Sequence, residues 1–150
     1  MEVFTTNSAA ETKKLAGQIL KKLKTRTIGL IGDLGSGKTT FVQGLAEALG
    51  IKKRVISPSF VLIRQYKIPK TLSPVTCRLS HVYHVDLYRL SGKINISSLG
   101  LPEIWDNPKN LVIIEWAEKI KEQLPKNSLI IEFENLGGDK RRIVIKLRLS

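Results

Sequence analysis

Cysteine is almost missing from this chain: Cys77 stands alone among 150 residues. A single thiol closes no internal disulfide, which fits a reducing cytoplasm, and there is no Cys/His cluster with metal-ligand spacing. No apolar stretch is long enough to cross a bilayer as a helix. The N-terminal Met1-Glu2-Val3-Phe4 lacks the basic-then-apolar order of a secretory signal. Internal repeats and low-complexity tracts are absent. Acidic residues are scarce, 13 against 25 lysines and arginines, leaving a net charge of +12. That surplus is large for a small domain. It clusters at Lys13, Lys14, Lys21, Lys22, Lys24 and Arg26, at Lys52-Lys53-Arg54 and at Lys140-Arg141-Arg142. Each cluster reads either as a solvated face or as a surface for nucleic acid or an acidic partner. The hydrophobic share of 42% supports a folded core, and the length suggests a single domain over 1–150.

What is present is a phosphate-binding loop. Gly32-Asp33-Leu34-Gly35-Ser36-Gly37-Lys38-Thr39 fits G-x-x-x-x-G-K-[ST]. Thr27–Ile31 reads as a buried strand entering it. Thr39–Leu49 reads as a helix leaving it, with Gly50 as its C-cap. Glycines let successive backbone N–H groups turn toward one anion, and the helix N-terminus adds a favourable dipole. Lys38 supplies a mobile charge for the terminal phosphates, and the Thr39 hydroxyl suits Mg²⁺. Asp33, Leu34, Gly35, Ser36, Gly37 and Thr40 complete the expected nucleotide contacts.

Elsewhere the pattern predicts a helix over 9–22 capped by Ser8 or Asn7, and strands over 60–66, 79–87 and 111–114. A short helical turn is predicted at 102–105 and a short helix over 117–124. Strands over 128–134 and 142–149 surround a Leu136-Gly137-Gly138-Asp139 turn. The fold class is α/β: a mostly parallel central sheet flanked by helices, antiparallel toward the C-terminus.

Such a loop needs a carboxylate at a neighbouring strand end. Glu115 closes the apolar run Leu111–Ile114, and Asp86 closes another strand. Either could hold Mg²⁺ while the other orients water, so Lys38, Asp86 and Glu115 form the candidate catalytic set. Ser57 and Ser59 flank Pro58 where nucleotide switches keep a phosphate-sensing hydroxyl. His84 reads as a sheet residue, with a hydrogen bond to a carboxylate as the alternative. Trp116 reads as packing, with a wall of the nucleotide site as the alternative.

Together these segments resemble the bacterial TsaE (YjeE) ATPases. The family's G-D-L-G-x-G-K-T-T is Gly32–Thr40 and its S-P-T-F is Ser57-Pro58-Ser59-Phe60. Its Y-H-x-D-L-Y-R-L is Tyr83–Leu90, its G-L-x-E is Gly100–Glu103 and its I-E-W is Ile114-Glu115-Trp116. The resemblance implies ATP and Mg²⁺ as cofactors and partner-stimulated hydrolysis of low intrinsic rate. It implies a place in forming threonylcarbamoyladenosine on tRNA, acting between turnovers on the TsaB and TsaD proteins, with TsaC or its counterpart making the activated intermediate. It also implies that Ser8 and Thr12 lie near the nucleotide base. Three positions depart from the family pattern: Ser59 for threonine, Gln65 for glutamate, and a neutral-to-basic Ser91–Ser97 where the family is often acidic. Two rivals remain on the sequence: a small-molecule kinase, which lacks a clear arginine-bearing lid here, and a nucleotide-gated RNA-binding module, which the charge motivates. A GTPase is disfavoured by the missing N-K-x-D segment.

Overall fold

The computed structural model describes residues 1–58, 62–70 and 77–148. Seven strands form one sheet in the order β1-β7-β6-β2-β5-β4-β3. They are β1 (Glu2–Thr6), β2 (Thr27–Ile31), β3 (Ile63–Lys67), β4 (His81–Asp86), β5 (Asn110–Glu115), β6 (Leu129–Gly137) and β7 (Lys140–Leu147). The helices are α1 (Ala9–Lys22), α2 (Lys38–Ala48) and α3 (Leu101–Asp106). Ala117–Gln123 is a 3₁₀ segment kinked at Ile120. Strands β6, β2, β5 and β4 run parallel, and β1-β7-β6 and β3-β4 pair antiparallel. The α/β expectation holds, with an additional antiparallel edge at β3.

Alternation along the strands sorts side chains to two cores. Leu111 and Ile113 of β5 join Ile28, Leu30, Phe41, Leu45, Leu15 and Ala16 beneath α1 and α2. Val112 and Ile114 face the other way, onto Leu101, Trp105, Ala117 and Ile120. A strand buried on both faces is therefore apolar at every position, which is why Leu111–Ile114 was legible as β. The same parity puts His84, Asp86 and Glu115 on the α2 side, since they follow Val82 and Ile113 in steps of two.

Helix α1 has the predicted bounds and the Ser8 cap. Ser8 Oγ accepts from Glu11 N at 3.1 Å, and Glu11 reaches back to Asn7 N at 2.5 Å. Lys21 and Lys22 fall in its last turn, where cations suit the helix dipole. Helix α2 starts at Lys38, one residue before expectation. Strand β1 was not predicted. It is short and largely exposed, and its pairing partner β7 lies at the far end of the chain. The predicted strand start at 60–62 and most of the loop over 69–80 fall partly outside the described residues.

Helices α1 and α2 meet at Gly44. A Cβ there would lie 2.6 Å from Lys13 Cα and 2.8 Å from Lys13 O. Backbone at that distance cannot swing aside as a side chain would. Overpacking costs about 1–3 kcal/mol, and alanine returns about 1 kcal/mol of helix propensity. Gly44→Ala should therefore lower Tm, by about 2–6 °C. An unchanged or raised Tm in thermal unfolding would show that the two helices can separate freely.

Candidate functional site

The site is assembled where the parallel strands end. Leaving β2, the chain turns through Gly35 (φ 76°) and Gly37 (φ 107°), both in the left-handed region that side chains resist. Gly32 is held closely: a Cβ would sit 2.7 Å from Phe133 O and 2.6 Å from Ser36 Oγ. Gly37 occupies the N-cap of α2 and offers no capping side chain. The first N–H groups of that helix are thus left for an external acceptor.

Lys38 is buried, and its ammonium curls over its own loop. It donates to Gly32 O and to Asp33 O, the latter at 2.9 Å, and lies 4.3 Å from the centre of the Trp116 ring. Burial lowers its pKa, opposed in part by the carboxylates of Glu115, Glu118, Asp86 and Asp33. Thr39 Oγ1 donates to Glu115 at 3.0 Å (Oε1) and 3.3 Å (Oε2), joining the loop to the end of β5. Glu115 is 3% exposed, and His84 Nε2 lies 2.5 Å from its Oε2. The hydrogen bond to a carboxylate, which the sequence offered only as the alternative for His84, is the one observed. Asp86 pairs with Glu115 across β4 and β5. It accepts from Ser57 Oγ at 2.7 Å and from Tyr88 N at 2.9 Å.

These groups share one cleft of about 500 Å³. Its lining includes the loop from Leu34 to Thr40 together with Thr12, Asp86, Glu115 and Trp116. Two expected nucleotide contacts lie apart from it. Ser8 is spent on capping α1, and its neighbour Ala9 lines the cleft instead. The exposed Asp33 is absent from the lining, and its carbonyl accepts from Lys38 and from Ser36 N. Ser59 lies outside the described residues, while Ser57 is in the cleft. Trp116 is both packing and wall. Its backbone adopts φ 61°, and its ring lies 5.2 Å from that of Tyr88.

Sequence reasoning missed the contribution of the β6–β7 hairpin. Arg141 and Asp139 line the cleft, and Arg141 Nη2 donates to Gly35 O at 3.1 Å. Other donations from Arg141 tie it to Asn135 Oδ1 and Gly138 O. The predicted Gly-Gly turn and the basic cluster Lys140-Arg141-Arg142 were the local signals, and neither points to a loop 106 positions away. Tyr88 and Arg89 also line the cleft, although their segment was quoted without a role.

No group of three or more His, Cys, Asp or Glu residues suited to a metal occurs among the described residues. The oxygen donors present, Thr39 and Glu115 beside Asp86, fit Mg²⁺. This ion keeps several waters and takes one or two carboxylates plus phosphate oxygens rather than a full protein cage.

Glu118 is an exposed residue whose carboxylate is partly shielded by its neighbours. That shielding raises its pKa, with its backbone hydrogen bond, Lys38 and Lys119 pulling the other way, and solvent screening keeps the effect on stability small. A raised carboxylate pKa means the charged form disfavours the fold above the unfolded value near 4.5, and the penalty vanishes below it. Glu118→Gln should therefore raise Tm slightly at neutral pH and leave it unchanged in acid. Thermal unfolding across that range checks the sign.

Comparison with known proteins identifies the family of the chain. Residues 6–143 match the family described as "Threonylcarbamoyl adenosine biosynthesis protein TsaE". The tRNA threonylcarbamoyladenosine biosynthesis protein TsaE of Bacillus subtilis is 40% identical over 114 residues, which span 76% of this chain and 65% of that relative. The protein of the same description from Rickettsia conorii is 38% identical over 141 residues, covering 93% of this chain and 74% of the relative. A crystal structure of Bacillus subtilis YdiB superposes with a TM-score of 0.72 at 33% identity, over 99% of this chain and 86% of that one. With its loop, strand-end carboxylates and sheet order in place, the chain belongs to the TsaE family of threonylcarbamoyl adenosine biosynthesis proteins.

Proposed function

We propose that this chain binds ATP with Mg²⁺ and hydrolyses it as an accessory of tRNA threonylcarbamoyladenosine formation, acting on a TsaB–TsaD pair in the cytoplasm. One observation carries the reading. The first hydroxyl of α2, on Thr39, hydrogen-bonds the carboxylate that ends β5, and a second carboxylate, Asp86, stands beside it in register. A glycine-rich turn built only for packing would have no need of two buried carboxylates at its mouth.

The roles follow from the donors. Lys38 would exchange the carbonyls of Gly32 and Asp33 for terminal phosphate oxygens, with the backbone N–H groups of Gly37, Lys38 and Thr39 cradling the rest. Thr39 and Glu115 would hold Mg²⁺, which when bound neutralises phosphate charge. Asp86, which accepts from Ser57 Oγ and Tyr88 N, would orient water or a metal-bound water. Trp116 and Arg141 border the cleft. Adenine is preferred because the sequence offers no N-K-x-D segment. The TsaB and TsaD partners follow from family membership, and direct contact with tRNA is a further proposal that the charge of +12 supports.

Phosphate release from ATP, measured with and without TsaB–TsaD, tests the reading. Partner-dependent turnover is expected, and Lys38→Ala should reduce it by roughly 100-fold or more while circular dichroism stays unchanged. ATP binding without hydrolysis in either condition would instead favour a nucleotide-gated RNA-binding module. Phosphate transfer to a small acceptor would favour a kinase. Glu115→Gln should retain ATP binding, followed by calorimetry, and lose most of the hydrolysis. Equal loss of both would confine Glu115 to metal binding.

A further inference from the structure

His84 is fully buried in a sheet that could hold an aliphatic residue there. Its parallel partner in β5 is Ile113, and its same-face neighbour in β4 is Val82. A buried imidazole is costly unless its polar atoms are used. Here one of them is. Nε2 lies 2.5 Å from Glu115 Oε2, while Nδ1 is buried and has no hydrogen-bond partner among the described residues. A proton on Nδ1 would leave an orphan donor in the core. The single proton consistent with these contacts is therefore on Nε2, donated to the carboxylate.

That bond distinguishes the two oxygens of Glu115. Oε2 is anchored in the sheet by His84 and accepts from Thr39 at 3.3 Å, while Oε1 makes the shorter bond to Thr39, at 3.0 Å. The distinction matters because Lys38 is close by. Lys38 and Glu115 are 5% and 3% exposed and line the same cleft, and the Glu115 charge acts on Lys38. Yet among the described residues no ion pair joins them: Lys38 is held by Gly32 O, Asp33 O and the Trp116 ring instead. Without the bond to His84 the carboxylate would be held by Thr39 alone and freer to turn toward the ammonium.

We propose that His84 is the positioning residue of this site: by anchoring Oε2 it keeps Oε1 directed toward Thr39 and keeps Glu115 off Lys38. His84 does not line the cleft, and it acts through Glu115. The inference rests on the ATPase reading for its kinetic consequence, but the anchoring itself does not.

Two substitutions separate anchoring from mere packing. His84→Leu keeps an apolar fill and removes the donor. His84→Gln keeps an N–H donor near the Nε2 position. Anchoring predicts that His84→Leu lowers kcat by about 10–100-fold, in the range found when a ligand's supporting partner is lost, with KM for ATP changed far less. It should weaken Mg²⁺ binding to the ADP-bound protein by a similar factor in calorimetry. His84→Gln should recover a substantial part of both. Long-range ¹H–¹⁵N spectra of histidine-labelled wild-type protein should show His84 protonated on Nε2 and bare on Nδ1. Unchanged kcat and Mg²⁺ affinity in His84→Leu would overturn the proposal, as would a proton on Nδ1. Equal loss in both variants, tracking their loss of Tm, would also overturn it. Should His84→Leu not fold, His84→Gln and the wild-type spectra decide the matter. If the wild type turns over no ATP, the ATPase reading fails, while Mg²⁺ affinity and the tautomer still judge His84.

Discussion

The structure depends on the parallel register of β2 with β5. Leu30 stands opposite Glu115, so the phosphate-binding loop leaves its strand beside the carboxylate that ends the next one. Shift that pairing by one residue and Glu115 turns to the opposite face of the sheet, away from α2, since side chains alternate. Both faces of β5 are buried, and either core would have to accept a charge where it now holds Ile114. The apolar sequence of β5 thus fixes the geometry of the polar site at its end.

The large positive charge looks different once the side chains are placed. Several cations in this cysteine-poor chain tether loops by donating to backbone carbonyls. Lys119 holds Leu87 O, Tyr88 O and Leu90 O at 3.0, 2.8 and 2.6 Å, closing the loop after β4. Arg26 holds Asn107 O at 2.6 Å, beyond α3. Arg148 holds Leu124 O at 2.6 Å, and Arg141 binds the hairpin to the phosphate loop. Part of the basic surplus therefore has a structural use, in which a long side chain satisfies carbonyls that no strand or helix pairs. Lys52, Lys53 and Arg54, by contrast, are exposed just beyond α2 and remain the stronger candidates for an acidic or nucleic-acid partner.

The elements that were legible share a property: their signals are local. Helix α1 carries its cap and its apolar stripe within fourteen residues, and the loop carries its glycines and lysine within eight. What escaped was non-local. Strand β1 is defined by pairing with β7, and Val3 gains no core from its own alternation, being half exposed. Arg141 reaches Gly35 only because β6 lies beside β2. Ser8, which the resemblance sets near the nucleotide base, caps α1 through its hydroxyl.

By itself, then, the sequence determined that a phosphate loop sits between a strand and a helix, that Asp86 and Glu115 end two strands, and that the chain resembles one family closely. These follow from short-range chemistry: glycine dihedrals, period-two alternation and capping. Only the tertiary structure decided that Thr39 meets Glu115, that a buried histidine meets the same carboxylate, and that a distant hairpin lines the cleft. Those contacts depend on strand order, and strand order is set by how two cores are buried together rather than by any one segment.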